Sequence, residues 1–135
     1  GLKVFSSGNL RSIVEWLKSE KVLGLVVDQR TSADRGGMLV PFFRQKVWTS
    51  SLPARLAEST GAPLLPVRIM TSKGGGHRVV IEQPLLQRTE DGERLDNYHI
   101  LVSINGMLER WIVDEPENWM WLHRRFKNTL STQKL

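Results

Sequence analysis

Lys21–Gln29 reads "KVLGLVVDQ", and the fold turns on this stretch. A short, valine-rich apolar run between polar ends predicts a buried strand over residues 22–27, ending at Asp28. Upstream, Leu10, Ile13, Val14 and Leu17 recur at i, i+3, i+4 and i+7, the apolar face of an amphipathic helix that Ser7 or Asn9 would cap. Downstream, Thr31–Gly37, "TSADRGG", is a loop by composition. "MLVPFF" follows as a second extended piece, with Pro41 suited to an edge or irregular strand.

"WTSSLPARLAESTG", Trp48–Gly61, predicts a helix with Pro53 in its first turn and Gly61 as its C-cap. "APLLPVRIM" and "HRVVIEQPL" are strand-like runs joined by "TSKGGG", whose glycines supply the positive φ of a hairpin connection. Asp96 is placed to cap a helix on which Leu101, Ile104, Leu108, Trp111 and Ile112 repeat. A last helix restarts at Pro116 and frays beyond Lys127. Helices alternate with strands, so the expected class is α/β, a mixed sheet flanked by helices. The chain has no internal repeat and no dividing linker, which makes residues 1–135 a single domain or part of a larger one.

With 135 residues, 40% hydrophobic and 24% charged, the chain is long enough for a real core and too apolar to be disordered. It contains no cysteine, which excludes disulfides and thiolate metal sites. No run approaches the ~18 to 20 apolar residues of a membrane-spanning helix. The first residue is glycine and no signal-peptide pattern follows, so the chain reads as a processed product or a fragment. A formal charge of +5 suits an anionic partner: nucleic acid, an acidic carrier protein or an acidic membrane surface.

Pro116–Lys127, "PENWMWLHRRFK", concentrates aromatic and basic residues. On a helix, Trp119, Leu122, His123 and Phe126 share one face, which reads as core with His123 a hydrogen-bonded core histidine. Trp121 and Arg125 then stand i, i+4 and can form a cation–π pair of about 0.5–1 kcal/mol. Arg124, Arg125 and Lys127 read either as a solvated outer face or as a phosphate site, at about 1 kcal/mol each toward an anionic membrane. No nucleic-acid-binding motif accompanies them.

Taken in order, "LKSEKVLGLVVDQR", "GGMLVPFF", "ARLAESTGAPLLPVRI" and "NGMLERWIVDEPENWMWLHRRFK" resemble the bacterial lipid A biosynthesis acyltransferases. These are the lauroyl and myristoyl transferases of the glycerolipid acyltransferase superfamily. The resemblance covers nearly the whole chain, and its last block is the most specific. It implies the C-terminal part of a glycerolipid acyltransferase-like fold, peripheral on the cytoplasmic face of the inner membrane. The implied reaction moves a fatty acyl chain from acyl carrier protein to a hydroxyl of a lipid A precursor. No cofactor, metal or nucleic acid is expected. The other reading is a non-catalytic basic α/β module on anionic membrane or nucleic acid, and a degenerate member kept as a scaffold is a third.

The superfamily places its catalytic base, a histidine in H-x4-D or H-x4-E, upstream of the block that "VVDQR" resembles. Here no histidine precedes Asp28. One H-x4-E occurs at His77–Glu82, but it lies after "LLPVRI" and on a predicted strand, where residues five apart face opposite ways. The expectation is therefore a chain that does not catalyse transfer alone. By resemblance Asp28, Gln29 and Arg30 contact the acceptor, although Asp28 also reads simply as a strand end. Arg124 and Arg125 are candidates for lipid phosphate or the acidic carrier. Pro41, Phe42 and Phe43 read as packing residues or as part of an acyl-chain groove. Arg44 stands where the family follows "PFF" with glycine, which puts the turn there in question.

Overall fold

A computed structural model describes residues 3–6, 9–72 and 74–127. The elements in chain order are α1 (Leu10–Lys18), β1 (Gly37–Phe42), β2 (Gln45–Ser50), α2 (Leu52–Thr60), β3 (Val67–Thr71), β4 (His77–Ile81) and α3 (Asn97–Asp114). Short 3₁₀ turns occupy Ala33–Arg35 and Pro116–Asn118. The class is α/β, but the strands form two separate antiparallel pairs, β1–β2 and β3–β4, rather than the single mixed sheet expected.

β1 and β2 form a hairpin in which Phe42 faces Gln45 across a two-residue turn. That turn is Phe43-Arg44, at φ 46° and 62°. Two consecutive left-handed residues match the twist of the flanking strands, and glycine or asparagine is the easy occupant. Arg44 therefore takes the conformation that glycine would adopt freely. Glu109 of α3 holds the turn by accepting from the Phe43 N–H at 2.7 Å. Trp48–Ser50, expected as helix, belong to β2, and α2 starts only at Leu52. Pro53 in its first turn and Gly61 at φ 74° stand as the sequence suggested.

α3 is the spine. Asp96 caps it by accepting from the His99 N–H at 2.9 Å. That bond, with a second from the His99 ring, holds the Asp96 carboxyl below its usual range. Ile100, Leu101, Ile104, Met107, Leu108 and Ile112 pack against Val40, Phe42, Val47 and Ala54 to make the core. α1 buries Ile13 and leans on α2. Asn9 precedes α1 without a side-chain cap bond, and Ser7 lies outside the described residues.

Two further expectations fail. Residues 22–27 form no strand; Val22 is 90% and Val26 80% exposed. A strand is not a local structure: its hydrogen bonds need a neighbour, and among the described residues none runs alongside. The last helix is also absent. Pro116 bars helical geometry at the preceding residue, Glu115 sits at φ −144°, and after one 3₁₀ turn Trp119 is extended. The segment continues through irregular turns to Lys127. The shared core face is lost with the helix, leaving Leu122 95% exposed. The tail beyond Lys127 lies outside the described residues.

Candidate functional site

The two stretches singled out by sequence meet in space. The Arg30 N–H donates to His123 Nε2 at 2.8 Å. Arg125 Nη1 donates to the Gln29 carbonyl at 2.9 Å and to the Trp48 carbonyl at 2.8 Å. Its Nη2 donates to Thr49 Oγ1 at 2.8 Å and to Asn105 Oδ1 at 3.1 Å. Thus residues 28–30 are fastened to β2 and α3 by side chains more than ninety positions away. Arg30 also bridges Thr49 in antiparallel fashion, which makes it a one-residue third strand on β2.

Arg125 is 1% exposed and its guanidinium lies 5.3 Å over the Phe42 ring. It does not pair with Trp121, which is exposed. Burial pushes its pKa down to about 10, with Asp28 pulling the other way, so it remains a cation at neutral pH. A buried cation needs many acceptors, and carbonyls, a hydroxyl and an amide oxygen supply them. Asn105, fully buried, completes the cluster by donating to the Pro41 carbonyl at 2.8 Å. Phe42, stacked on Phe126 at 5.7 Å and near Trp119 at 6.0 Å, closes it from water. Phe42 is thus core, and Phe43 is the hairpin turn.

Arg124 points the other way, exposed, with no side-chain hydrogen bond or ion pair among the described residues. Arg124 and Arg125 were expected to share one task; the structure separates them into an outward cation and a buried clamp. His123 is hydrogen-bonded as expected but half-buried rather than core, and because Nε2 accepts there, the ring proton sits on Nδ1.

Within the loop, Asp28 Oδ1 and Arg30 Nε are buried without a hydrogen-bond partner, and Gln29 is exposed. A polar cavity of about 520 Å³ adjoins them, lined by Gln29, Arg30, Ser32, Asp34, Arg35 and Ser50. The Ser32 hydroxyl chiefly, with Arg35 and Arg30 adding, holds the Asp34 carboxyl below its normal range. Gly37 sets the loop's return path: a Cβ there would stand 1.9 Å from the Thr31 carbonyl oxygen, which no other residue tolerates. On the other side of Asp28 an apolar cavity of about 400 Å³ runs between residues 25–28, β3 and α3.

His77, in the H-x4-E match, opens β4 as an exposed residue beside the glycine turn. Glu82 is occupied by the Trp111 indole N–H at 2.6 Å. The pair forms no dyad. Sequence reading missed Thr49 and Asn105, although an asparagine between Ile104 and Leu108 on an apolar helix face was a visible signal of a buried polar contact. Among the described residues no three acidic or histidine side chains are placed to hold a metal.

An α/β domain that folds a D-Q-R loop back onto a C-terminal H-R-R segment is the class this geometry defines. The family model for bacterial lipid A biosynthesis acyltransferases matches residues 1–128, and the chain belongs to that family. It is 30% identical over 121 residues to the lipid A biosynthesis palmitoleoyltransferase of Escherichia coli, covering 88% of this chain and 38% of that protein. The lipid A biosynthesis lauroyltransferase of the same organism is 30% identical over 122 residues, with the same coverage. A lipid A biosynthesis acyltransferase of Shigella flexneri matches equally well. The chain thus spans about two-fifths of the length of these relatives.

Proposed function

We propose that these residues are the C-terminal portion of an enzyme that moves a fatty acyl chain from acyl carrier protein to a hydroxyl of a lipid A precursor. The observation that carries this reading is the fastening of residues 28–30 by His123 and Arg125, in a chain of this family. A loop held from both sides presents fixed groups, and fixed groups are what acyl transfer needs. Asp28 Oδ1, without a partner, is an acceptor for a substrate hydroxyl. Arg30 Nε, also without one, and the exposed Arg124 are donors for substrate phosphate or for the acidic carrier. Arg125 acts through the loop as a positioning residue and touches no substrate.

Attack on a thioester requires that the hydroxyl lose its proton to a positioned base. His77 and Glu82 do not supply one, so the base comes from polypeptide outside these residues. The family's place in lipid A synthesis supports a peripheral position on the cytoplasmic face of the inner membrane. No helix among the described residues is long and apolar enough to cross a membrane. Exposed Met120, Trp121 and Leu122 stand beside the exposed Arg124 and Lys127, an apolar tip with cations that suits an anionic lipid surface.

The test is transfer of a labelled acyl group from acyl carrier protein to a lipid A precursor. The 135 residues alone should give none, and the longer polypeptide of the same gene should be active. In that polypeptide Arg30→Ala should lower kcat/KM by roughly ten- to a hundredfold, as expected for removing a charged substrate contact. An unchanged kcat/KM would remove the loop from the site.

A further inference from the structure

The clamp leaves the far side of Asp28 unexplained. Residues 23–27 have no regular secondary structure, and none of residues 23–28 donates or accepts a backbone hydrogen bond. Across the apolar cavity stands β3, paired with β4 along one edge and, among the described residues, with no strand along the other. Two unpaired backbone edges therefore face one cavity, whose floor is Leu108, Trp111 and Ile112 of α3. Unpaired edges of this kind are ordinarily covered, charged or shortened; these are apolar and bare.

The side chains tell the same story. Val67 and Ile69 oppose Ile81 and Val79 in register, so the four share one face, and each is at least 50% exposed. Four apolar residues on one bare sheet face mark an interaction surface. One polar atom beside the cavity, the donor Arg68 Nε, is buried without a hydrogen bond. Arg68 has only a 3.8 Å ion pair to Glu82 and a ring contact with Trp111 at 5.5 Å. A buried donor left this way suits the C=O of an incoming peptide backbone.

We propose that a β-strand from the same polypeptide, outside these 135 residues, lies in this cavity between residues 22–27 and β3. It joins the two edges into one sheet over α3. One face of the occupant lies on α3 and the other continues the bare apolar face, so it is a strand of about five residues, apolar toward α3. The relatives supply the length: this chain spans 38% of the palmitoleoyltransferase. The proposal rests on the acyltransferase reading for the existence of that further polypeptide, and it also accounts for the failure of the valine-rich run to form a strand here.

The test is backbone hydrogen exchange on the 135-residue chain and on the full polypeptide of its gene, with acyl transfer measured in parallel. Amides of residues 23–28 and 67–71 should exchange on the order of a hundredfold more slowly in the full polypeptide. Val26→Lys should leave the melting temperature of the short chain unchanged, because the side chain is already exposed, and should lower that of the full protein by several degrees. Unchanged exchange in the full polypeptide overturns the proposal, even if that polypeptide transfers acyl groups. Slowing of the short chain with its own concentration would assign the cavity to a second copy, and slowing only on phosphatidylglycerol vesicles would assign it to lipid; either overturns it. Protection without acyl transfer would uphold the strand and sink the acyltransferase reading instead.

Discussion

The two hairpins flank the same helix and end up opposite in character. β1–β2 is sealed: Val40, Phe42 and Val47 are buried, and a cation, an asparagine and a threonine are hydrogen-bonded to one another beneath it. β3–β4 is bare on one face, and its Arg68 Nε, like Arg125 Nε, is buried without a hydrogen bond. Both hairpins carry an arginine against an aromatic ring, Arg125 over Phe42 and Arg68 over Trp111. The difference is acceptors. Arg125 meets four oxygens, and Arg68 meets one carboxylate at 3.8 Å. The guanidinium with four acceptors holds its region together, whereas the one with a single distant carboxylate sits beside an open cavity.

The sharpest way to break this contrast is Arg125→Met. Four oxygens lose a charged donor, so we expect a loss of about 3–5 kcal/mol in urea unfolding, enough to unfold a marginal domain. Arg125→Lys should not rescue it, because a point charge cannot reproduce a planar fork reaching Gln29, Trp48, Thr49 and Asn105 together. The matching change in the open half, Arg68→Met, should cost under about 1 kcal/mol in the same assay. Equal losses would erase the distinction between the halves.

Smaller effects sharpen it. Asn105→Leu keeps volume but takes one of two acceptors from Arg125 Nη2 and the side-chain donor from the Pro41 carbonyl, for about 2–3 kcal/mol. His123→Ala removes one neutral hydrogen bond at the half-buried loop, for about 1 kcal/mol in the same measurement. Arg44→Gly should stabilise by about 0.5–1 kcal/mol, raising the melting temperature, since glycine adopts φ 62° without strain. Arg124→Ala should leave stability within about 0.5 kcal/mol while making acyl transfer by the full polypeptide less sensitive to salt.

What the sequence disclosed follows the range of the forces involved. Local signals held: the Asp96 cap, Pro53 in the first turn, Gly61 past the end of α2 and the glycine-rich connection of β3 to β4. The family was legible in the order of four blocks. What depended on absent neighbours was not. Residues 22–27 have strand composition and no strand beside them. Pro116–Lys127 has helical spacing, but Pro116 and the burial of Arg125 override it. The meeting of Asp28–Arg30 with His123–Arg125 was beyond reach, because no periodicity records a contact across ninety residues. Arg44 was noticed as a departure, and its left-handed backbone explains why glycine is the easy residue there.

The most direct measurement is the exchange rate of the Arg30 amide, by nuclear magnetic resonance, in the unaltered chain and in His123→Ala. The account predicts an amide protected in the first and exchanging at the rate of an open loop in the second, with the α3 amides unchanged. An Arg30 amide that already exchanges freely in the unaltered chain would contradict it, because the loop would then not be held and residues 28–30 and 123–125 would not form one site.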